Sequence, residues 1–291
     1  MDLRKLEIFR EVYRQGGFSS AARRLGLTQS AVSQQVRALE SELGVELFDA
    51  ETRSGPTAAG DYLFKEAGLI MASLEDVRRG VMGVQGVGAG SVKFGMIDVA
   101  AIELMPGVLA AFKRRHSQIK VEAVVRPSGE LVEMVLRHEL DFAVAVTNRV
   151  QGDLAVREFY SDSIVAVVPR GGGYPRSGIS ISRLRGEPLI LYPGSSHSRM
   201  LIEDVFRAHG IVPTIAMEMH YPEAICSLVQ QGLGVGLISE LSAREHKLRG
   251  QSVVPVRELA GVRSIGTISH GRRRLAPQAA ALVAEIGLIA R

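Results

Sequence analysis

Residues 18–43, FSSAARRLGLTQSAVSQQVRALESEL, predict two short helices joined by a tight turn. Ser19 and Ser20 are placed to cap the first helix, because a serine hydroxyl accepts one of the unpaired N–H groups at a helix start. Ala21, Ala22 and Leu25 turn inward, and Gly26 stands where the helix should stop, suiting a left-handed backbone. Leu27 plugs the turn and Thr28 caps the second helix.

The second helix separates into two faces. Val32, Val36, Leu39 and Leu43, spaced four, three and four apart, form an apolar stripe for a small core. Ser30, Ser33, Gln34 and Arg37 fall opposite, at i, i+3, i+4 and i+7, with Gln29 just ahead of them. Solvated helix faces are usually rich in Glu and Lys; this one has neither until Glu40. Short hydrogen-bonding side chains and an arginine on one helix are suited to base edges and phosphates in a major groove. The pattern is that of a helix-turn-helix, whose second helix reads DNA. Gln29, Ser30, Ser33, Gln34 and Arg37 are the expected groove and base-edge contacts, with Thr28 on the backbone.

A chain of 291 residues accommodates two or three compact units, and 46% hydrophobic with 23% charged residues is ordinary for a folded soluble protein. The single cysteine, Cys226, rules out an internal disulfide and fits a reducing compartment. The opening MDLRKLEIFREVYRQ reads as an amphipathic helix rather than a signal peptide, and no stretch is long and apolar enough to span a membrane. A cytoplasmic location is therefore expected. Net charge is +4, a mild pointer to a polyanion. It does not localise to the reading pair. Seven Lys/Arg face three Asp/Glu in residues 1–39, and residues 40–60 then add five acids and one arginine. DNA binding must rest on where the cations point.

Outward from the central pair, Leu3, Leu6, Phe9 and Tyr13 predict a helix packed behind it. After Gly44, VELFDAETRSGPTAAG is turn-rich and fits a two-stranded wing anchored by Leu47 and Phe48. Arg53 at its tip suits a minor groove or a phosphate, and equally suits a solvated loop. From Gly60 to about Val84 a long helix places Leu63, Ala67, Ile70, Leu74, Val77, Val81 and Val84 at alternating spacings of four and three. That is a heptad seam for side-by-side pairing with a second copy. Pairing makes sense of the reading head, since one head covers a half-site and a dimer reads an interrupted dyad. Glycines 83, 86, 88 and 90 then mark a hinge. Beyond it, strands are expected at 92–96, 121–125, 142–146, 164–168, 188–192, 235–238 and 264–268, alternating with helices at 102–115, 129–138, 198–209, 222–231 and 276–289. Such alternation argues for parallel-type α/β sheets.

Over essentially its whole length the chain resembles LysR-type transcriptional regulators, most specifically in FSSAARRLGLTQSAVSQQVRALESELGVELF, and more loosely in GELVEMVLRHELDFAVAV and EAICSLVQQGLGVGLIS. The resemblance implies an α/β chain with an all-α winged helix-turn-helix N-terminal domain (1–58), a long dimerising linker helix and hinge (59–90), and a two-lobed effector domain (91–291). That domain would resemble type II periplasmic binding proteins, with lobe I about 91–162 and 266–291 and lobe II about 163–265. It also implies a small-molecule cleft between the lobes and a homodimer assembling further into a homotetramer. Two departures stand out. Ala50 replaces the arginine usual in the wing, which is one residue shorter with Pro56 near the usual leucine. Met96-Ile97-Asp98-Val99 stands where the family often offers hydroxyls.

By position within that implied cleft, the lining should come from Ile97, Asp98, Ser128 and Thr147 on one side. Ser195, Ser196, His197 and the His220-Tyr221 pair come from the other. Gly194 to Ser198 opens a helix, offering hydroxyls and backbone donors to an oxyanion, although the serines equally fit as plain turn and cap residues. Asp98 either welcomes an amine, making the effector amphoteric, or caps the helix that follows. His197 fits a ligand-facing group or an ordinary hydrogen-bonding histidine, and Arg199 fits a brace for the fold.

Enzymatic readings find little support. Ser195 and His197 are too close in sequence to form a nucleophile–base pair, and no G-x-S-x-G elbow is present. Gly232, Gly234 and Gly236 follow a helix and precede a strand, the reverse of the dinucleotide-binding order. His220 and Cys226 are too few for a metal site, so neither metal nor cofactor is expected. A solute-binding protein built on the latter two-thirds, or a small-molecule enzyme on the same scaffold, is the alternative.

Overall fold

The computed structural model describes residues 2–49, 55–83, 90–245 and 250–288, and divides into two compact units, Met1–Val81 and Met82–Arg291. Arg53, Ala50, Val84 and most of the glycine hinge lie outside the described residues, as does the side chain of Val81.

The first unit holds α1 (Leu3–Gln15), α2 (Phe18–Leu25), α3 (Gln29–Leu43) and most of α4 (Ala58–Gly83). Its core is Leu6, Phe9 and Val12 of α1, Ala21 and Ala22 of α2, and Val32, Val36 and Leu39 of α3, closed by Leu47 and Phe48. Gly26 does end α2, with φ 65°, and Thr28 caps α3 by accepting the Ala31 N–H at 3.2 Å. The serine caps are corrected: α2 starts at Phe18 behind Gly17, so Ser19 and Ser20 sit inside its first turn. Leu43 is also corrected, lying 39% exposed at the last position of α3 and outside the buried core. In the wing segment one antiparallel bridge joins Phe48 to Pro56. α4 is anchored to this head at its start: Phe64 and Ala67 enter the core, and Phe64 stacks on Tyr13 at 3.9 Å.

The second unit runs β1 (Gly90–Met96), α5 (Met105–Arg115), β2 (Ile119–Val125), α6 (Ser128–Leu136), β3 (Phe142–Val146) and β4 (Leu154–Asp162). It continues with β5 (Ile164–Pro169), β6 (Pro188–Leu191), α7 (His197–Ala208), β7 (Thr214–Glu218), α8 (Pro222–Gln230), β8 (Val235–Ser239), α9 (Glu240–Glu245) and β9 (Gln251–Pro255). β10 (Arg263–His270) and α10 (Pro277–Ile286) complete it. The strands form two five-stranded sheets, ordered β2-β1-β3-β10-β4 and β7-β6-β8-β5-β9. The chain passes from the first sheet to the second between β4 and β5 and returns between β9 and β10.

Neither sheet is wholly parallel, which corrects the expectation. In each, three strands joined by helical crossovers run parallel, and the two strands supplied by the chain passages add antiparallel. Three strands escaped the sequence pattern: β4, β7 and β9. All are sheet edges, and β4 and β7 are mostly exposed, so they lack the apolar runs that betray buried strands such as Phe142–Val146. The G-x-G-x-G run is a helix stop followed by close packing. A Cβ on Gly234 would lie 2.3 Å from the Pro188 carbonyl oxygen, and one on Gly236 2.5 Å from Ile225 of α8.

Candidate functional site

Two surfaces gather the residues singled out in the sequence. On the first unit, α3 presents Gln29, Ser30, Gln34 and Arg37 to solvent, with Ser33 half-buried between them. The N-cap orients this face, and Thr28 Oγ1 also lies 3.0 Å from Ser30 Oγ. Gln29, Ser33 and Arg37 border a concavity of about 440 Å³, closed on its other sides by Phe18 to Ser20 and by Phe48 and Asp49. Gln29, Ser33, Gln34 and Arg37 make no hydrogen bond or ion pair among the described residues, so their polar groups face outward for a partner. Glu40, the first acid on the helix, is turned to structure: its Oε1 accepts the N–H groups of Leu47 at 2.8 Å and Phe48 at 3.3 Å. Along α4, Leu63 and Leu74 are half-buried, Ile70 is 42% and Val77 61% exposed, whereas Ala67 is buried in the head's own core.

The second surface is a cleft of about 370 Å³ between the two sheets of the C-terminal unit. Ile97, Asp98 and Ser128 line it from the first sheet's side, and Ser195, Ser196, His197, His220 and Tyr221 from the second. Thr147 does not reach it. Its hydroxyl is buried and donates to Glu158 Oε1 at 2.8 Å. Ser128 is committed locally as well, its Oγ accepting the Val146 N–H at 3.3 Å.

The cap alternatives for the loop before α7 and for Asp98 are settled by the hydrogen bonds. Ser196 occupies the N-cap position of α7, yet its hydroxyl makes no capping bond. Asp98 is itself the first residue of the helical stretch that leads into a π-helical turn, Ala100–Leu104, and its side chain makes no capping bond. Asp98 lines the cleft half-buried, without a hydrogen bond or ion pair among the described residues. Arg199 is the brace: buried, it donates to the Tyr192 carbonyl oxygen at 2.7 Å and pairs with Glu203 and Glu218.

His197, Leu201 and Asp204 fall at i, i+4 and i+7 on α7, and all three meet the lobe of the first sheet. His197 hydrogen-bonds the Val146 carbonyl, Leu201 packs on that lobe's core, and Asp204 pairs with Arg149. Burial lowers the His197 pKa, aided by the Arg149 charge and opposed by the Val146 bond. The imidazole is thus held neutral, with a buried Nδ1 that has no partner.

Pattern reading missed Arg126, Glu130, Tyr192, Ser242 and Arg263, all in the cleft wall. Arg263 matters most. It is 4% exposed, and its Nη1 meets Asp162 Oδ2 at 2.6 Å while its Nε has no partner. Tyr192 is buried beside it, its pKa pushed up by burial and by the charge of Asp98 and pulled back by that of Arg263. The available signal was an arginine heading the last strand of the sheet; its meaning depends on the register that sets it opposite Asp162.

Comparison with known proteins assigns both units. Residues 3–61 match the model for bacterial regulatory helix-turn-helix proteins of the lysR family, and residues 85–287 the LysR substrate binding domain. The chain is 28% identical to the HTH-type transcriptional regulator CbbR of Rhodospirillum rubrum, over 99% of this chain and 97% of that protein. Its identity to CbbR of Xanthobacter flavus is 30%, over 97% and 86%. Among solved structures it is similar to a full-length OxyR variant from Pseudomonas aeruginosa, with TM-score 0.75 and 20% identity over 99% and 95%. It is likewise similar to full-length CbnR complexed with its target DNA, with TM-score 0.66 and 21% identity over 99% and 100%. The solute-binding and enzymatic alternatives fall with the N-terminal match, which neither would carry. The chain belongs to the LysR family and is a DNA-binding transcriptional regulator with an effector-binding domain, not an enzyme.

Proposed function

We propose that the α3 face, Gln29, Ser30, Ser33, Gln34 and Arg37, enters the major groove of double-stranded DNA, with Thr28 and the wing residue Arg53 on the phosphate backbone. The single observation that carries this is that Gln29, Ser33, Gln34 and Arg37 have no partner among the described residues, on a helix whose opposite face buries Val32, Val36 and Leu39. Backbone contacts position such a helix, and base-edge contacts specify its site.

Of the expected seam Leu63, Ala67, Ile70, Leu74, Val77, Val81 and Val84, the part from Ile70 onward pairs with a second copy, which supplies the other half-site of an interrupted dyad. The exposure of Ile70 and Val77 supports that seam toward its middle; Ala67, committed to the head's core, supports a contact starting beyond the first turns of α4. The assembly works in the cytoplasm as a dimer or a tetramer of paired dimers. No helix among the described residues is long and apolar enough to cross a membrane. A small molecule held in the cleft, an oxyanion or an amphoteric metabolite, changes the angle between the lobes and so the grip on DNA.

The test is sedimentation velocity of the full-length chain, alone and with a duplex carrying the promoter region of its own gene, at low salt. Two or four copies per duplex are expected. A monomer that leaves the duplex free at low salt would refute the proposal.

A further inference from the structure

The charges of the cleft narrow what it holds, an inference resting on the proposal that this cleft is the effector site. Both arginines of its wall already face a carboxylate. Arg126 approaches Glu130 at 3.8 Å on the exposed rim, and Arg263 meets Asp162 at 2.6 Å in the buried floor. What remains is the Asp98 carboxylate, which heads a helix in the cleft wall and has no hydrogen bond or ion pair among the described residues.

The polar groups left open are of both kinds. Arg263 Nε is a buried donor without an acceptor, and a buried donor left unmatched costs free energy that a ligand oxygen recovers. The start of α7, a helix of twelve residues with no side-chain cap, opens on the same cleft with backbone N–H groups. On the acceptor side stands Asp98. Asp98 and Arg263 both act electrostatically on the Tyr192 hydroxyl, so the free acid and the open donor belong to one neighbourhood. Between them the wall is apolar, with Ile97, Val99 and Val146.

We propose that the effector is a small zwitterion of the amino-acid type, its ammonium on Asp98 and its carboxylate on Arg263 Nε and the α7 N-terminus. A phosphate ester or other polyanion would meet Asp98 and find the buried arginine of the wall already paired with Asp162. A simple carboxylate would satisfy the donors and leave Asp98 opposed.

The experiment is calorimetric titration of the full-length protein with the standard L-amino acids, then with the des-amino acid and the decarboxylated amine matching each binder. Inorganic phosphate and fructose bisphosphate serve as polyanion probes. At least one amino acid should bind, and loss of either charged group should weaken it roughly tenfold or more. Asp98→Asn should weaken the amino acid by a similar factor and bring its des-amino analogue level with it, a change of preference that mere loosening of the fold would not produce. Fructose bisphosphate binding while every amino acid fails overturns the proposed class and leaves the cleft as an effector site. Failure of all probes at millimolar concentration overturns the class as well, as does an unchanged preference in Asp98→Asn. An amino acid that binds through Asp98 without altering DNA affinity upholds the ligand class and refutes the cleft's role as effector site.

Discussion

Arg263 and Asp162 are register partners on β10 and β4, one at each passage of the chain between the two sheets, and their ion pair is buried on both sides. The pair does more than close a ladder. Asp162 Oδ1 also accepts the Leu241 N–H at 3.2 Å, so one carboxylate ties both passages to the start of α9. The passage between the sheets is therefore closed by a buried charged joint.

Removing one partner of this joint strands the other as a buried charge. Arg263→Ala or Asp162→Ala should each destabilise the C-terminal unit by about 3–5 kcal/mol. Replacing both by apolar residues of similar size, Arg263→Met with Asp162→Leu, should recover much of that loss, because desolvation of the charges disappears with them. Chemical denaturation of the single and double variants measures it. A double variant as unstable as the sum of the singles would contradict the account.

Acid should loosen the contact that α7 makes with the first lobe. The His197 pKa is lowered from its ordinary 6.5, chiefly by burial. Below 6.5 the unfolded chain binds a proton at this site that the folded protein accepts only at lower pH. The stabilisation from neutral His197 is thus fully present above 6.5 and declines as pH falls toward the lowered value. Thermal melts across this window should show that decline, and His197→Gln should flatten it. A slope unchanged in the variant would place the titration elsewhere.

Cys226 should behave as an inert thiol. Burial, with a smaller contribution from the Glu223 charge, pushes its pKa from 9.0 to about 11. Two units leave about a hundredfold less thiolate at neutral pH than an ordinary thiol of that kind would have. Alkylation by iodoacetamide should be slower in the native protein by at least that factor, and normal in denaturant. Rapid native labelling would show the thiol to be open.

Where a residue's role follows from local periodicity, it was legible in the sequence. Gly26, Thr28 and the Val32-Val36-Leu39 stripe define the reading pair without any tertiary information. Within the cleft, Ile97, Asp98, Ser195, Ser196, His197 and Tyr221 could be placed because strand ends and helix starts converge there. Thr147 lies next to such a strand end and was misplaced, since the partner that turns its hydroxyl inward, Glu158, belongs to an edge strand with no apolar signature. Arg263 escaped for a related reason. Its neighbour Asp162 is one hundred and one positions away in sequence, and only strand register brings them together.

The claim on which the account most depends is that the α3 face reads DNA. Quantitative footprinting of wild type, Gln34→Ala and Arg37→Ala on the natural operator, repeated over a salt series, tests it directly. Gln34→Ala should lose about 1–3 kcal/mol of discrimination at one base pair and keep the wild-type salt slope. Arg37→Ala should bind all sequences more weakly, with the slope of log K against log salt reduced by about one. Footprints identical to wild type for both variants at every salt concentration would contradict the assignment.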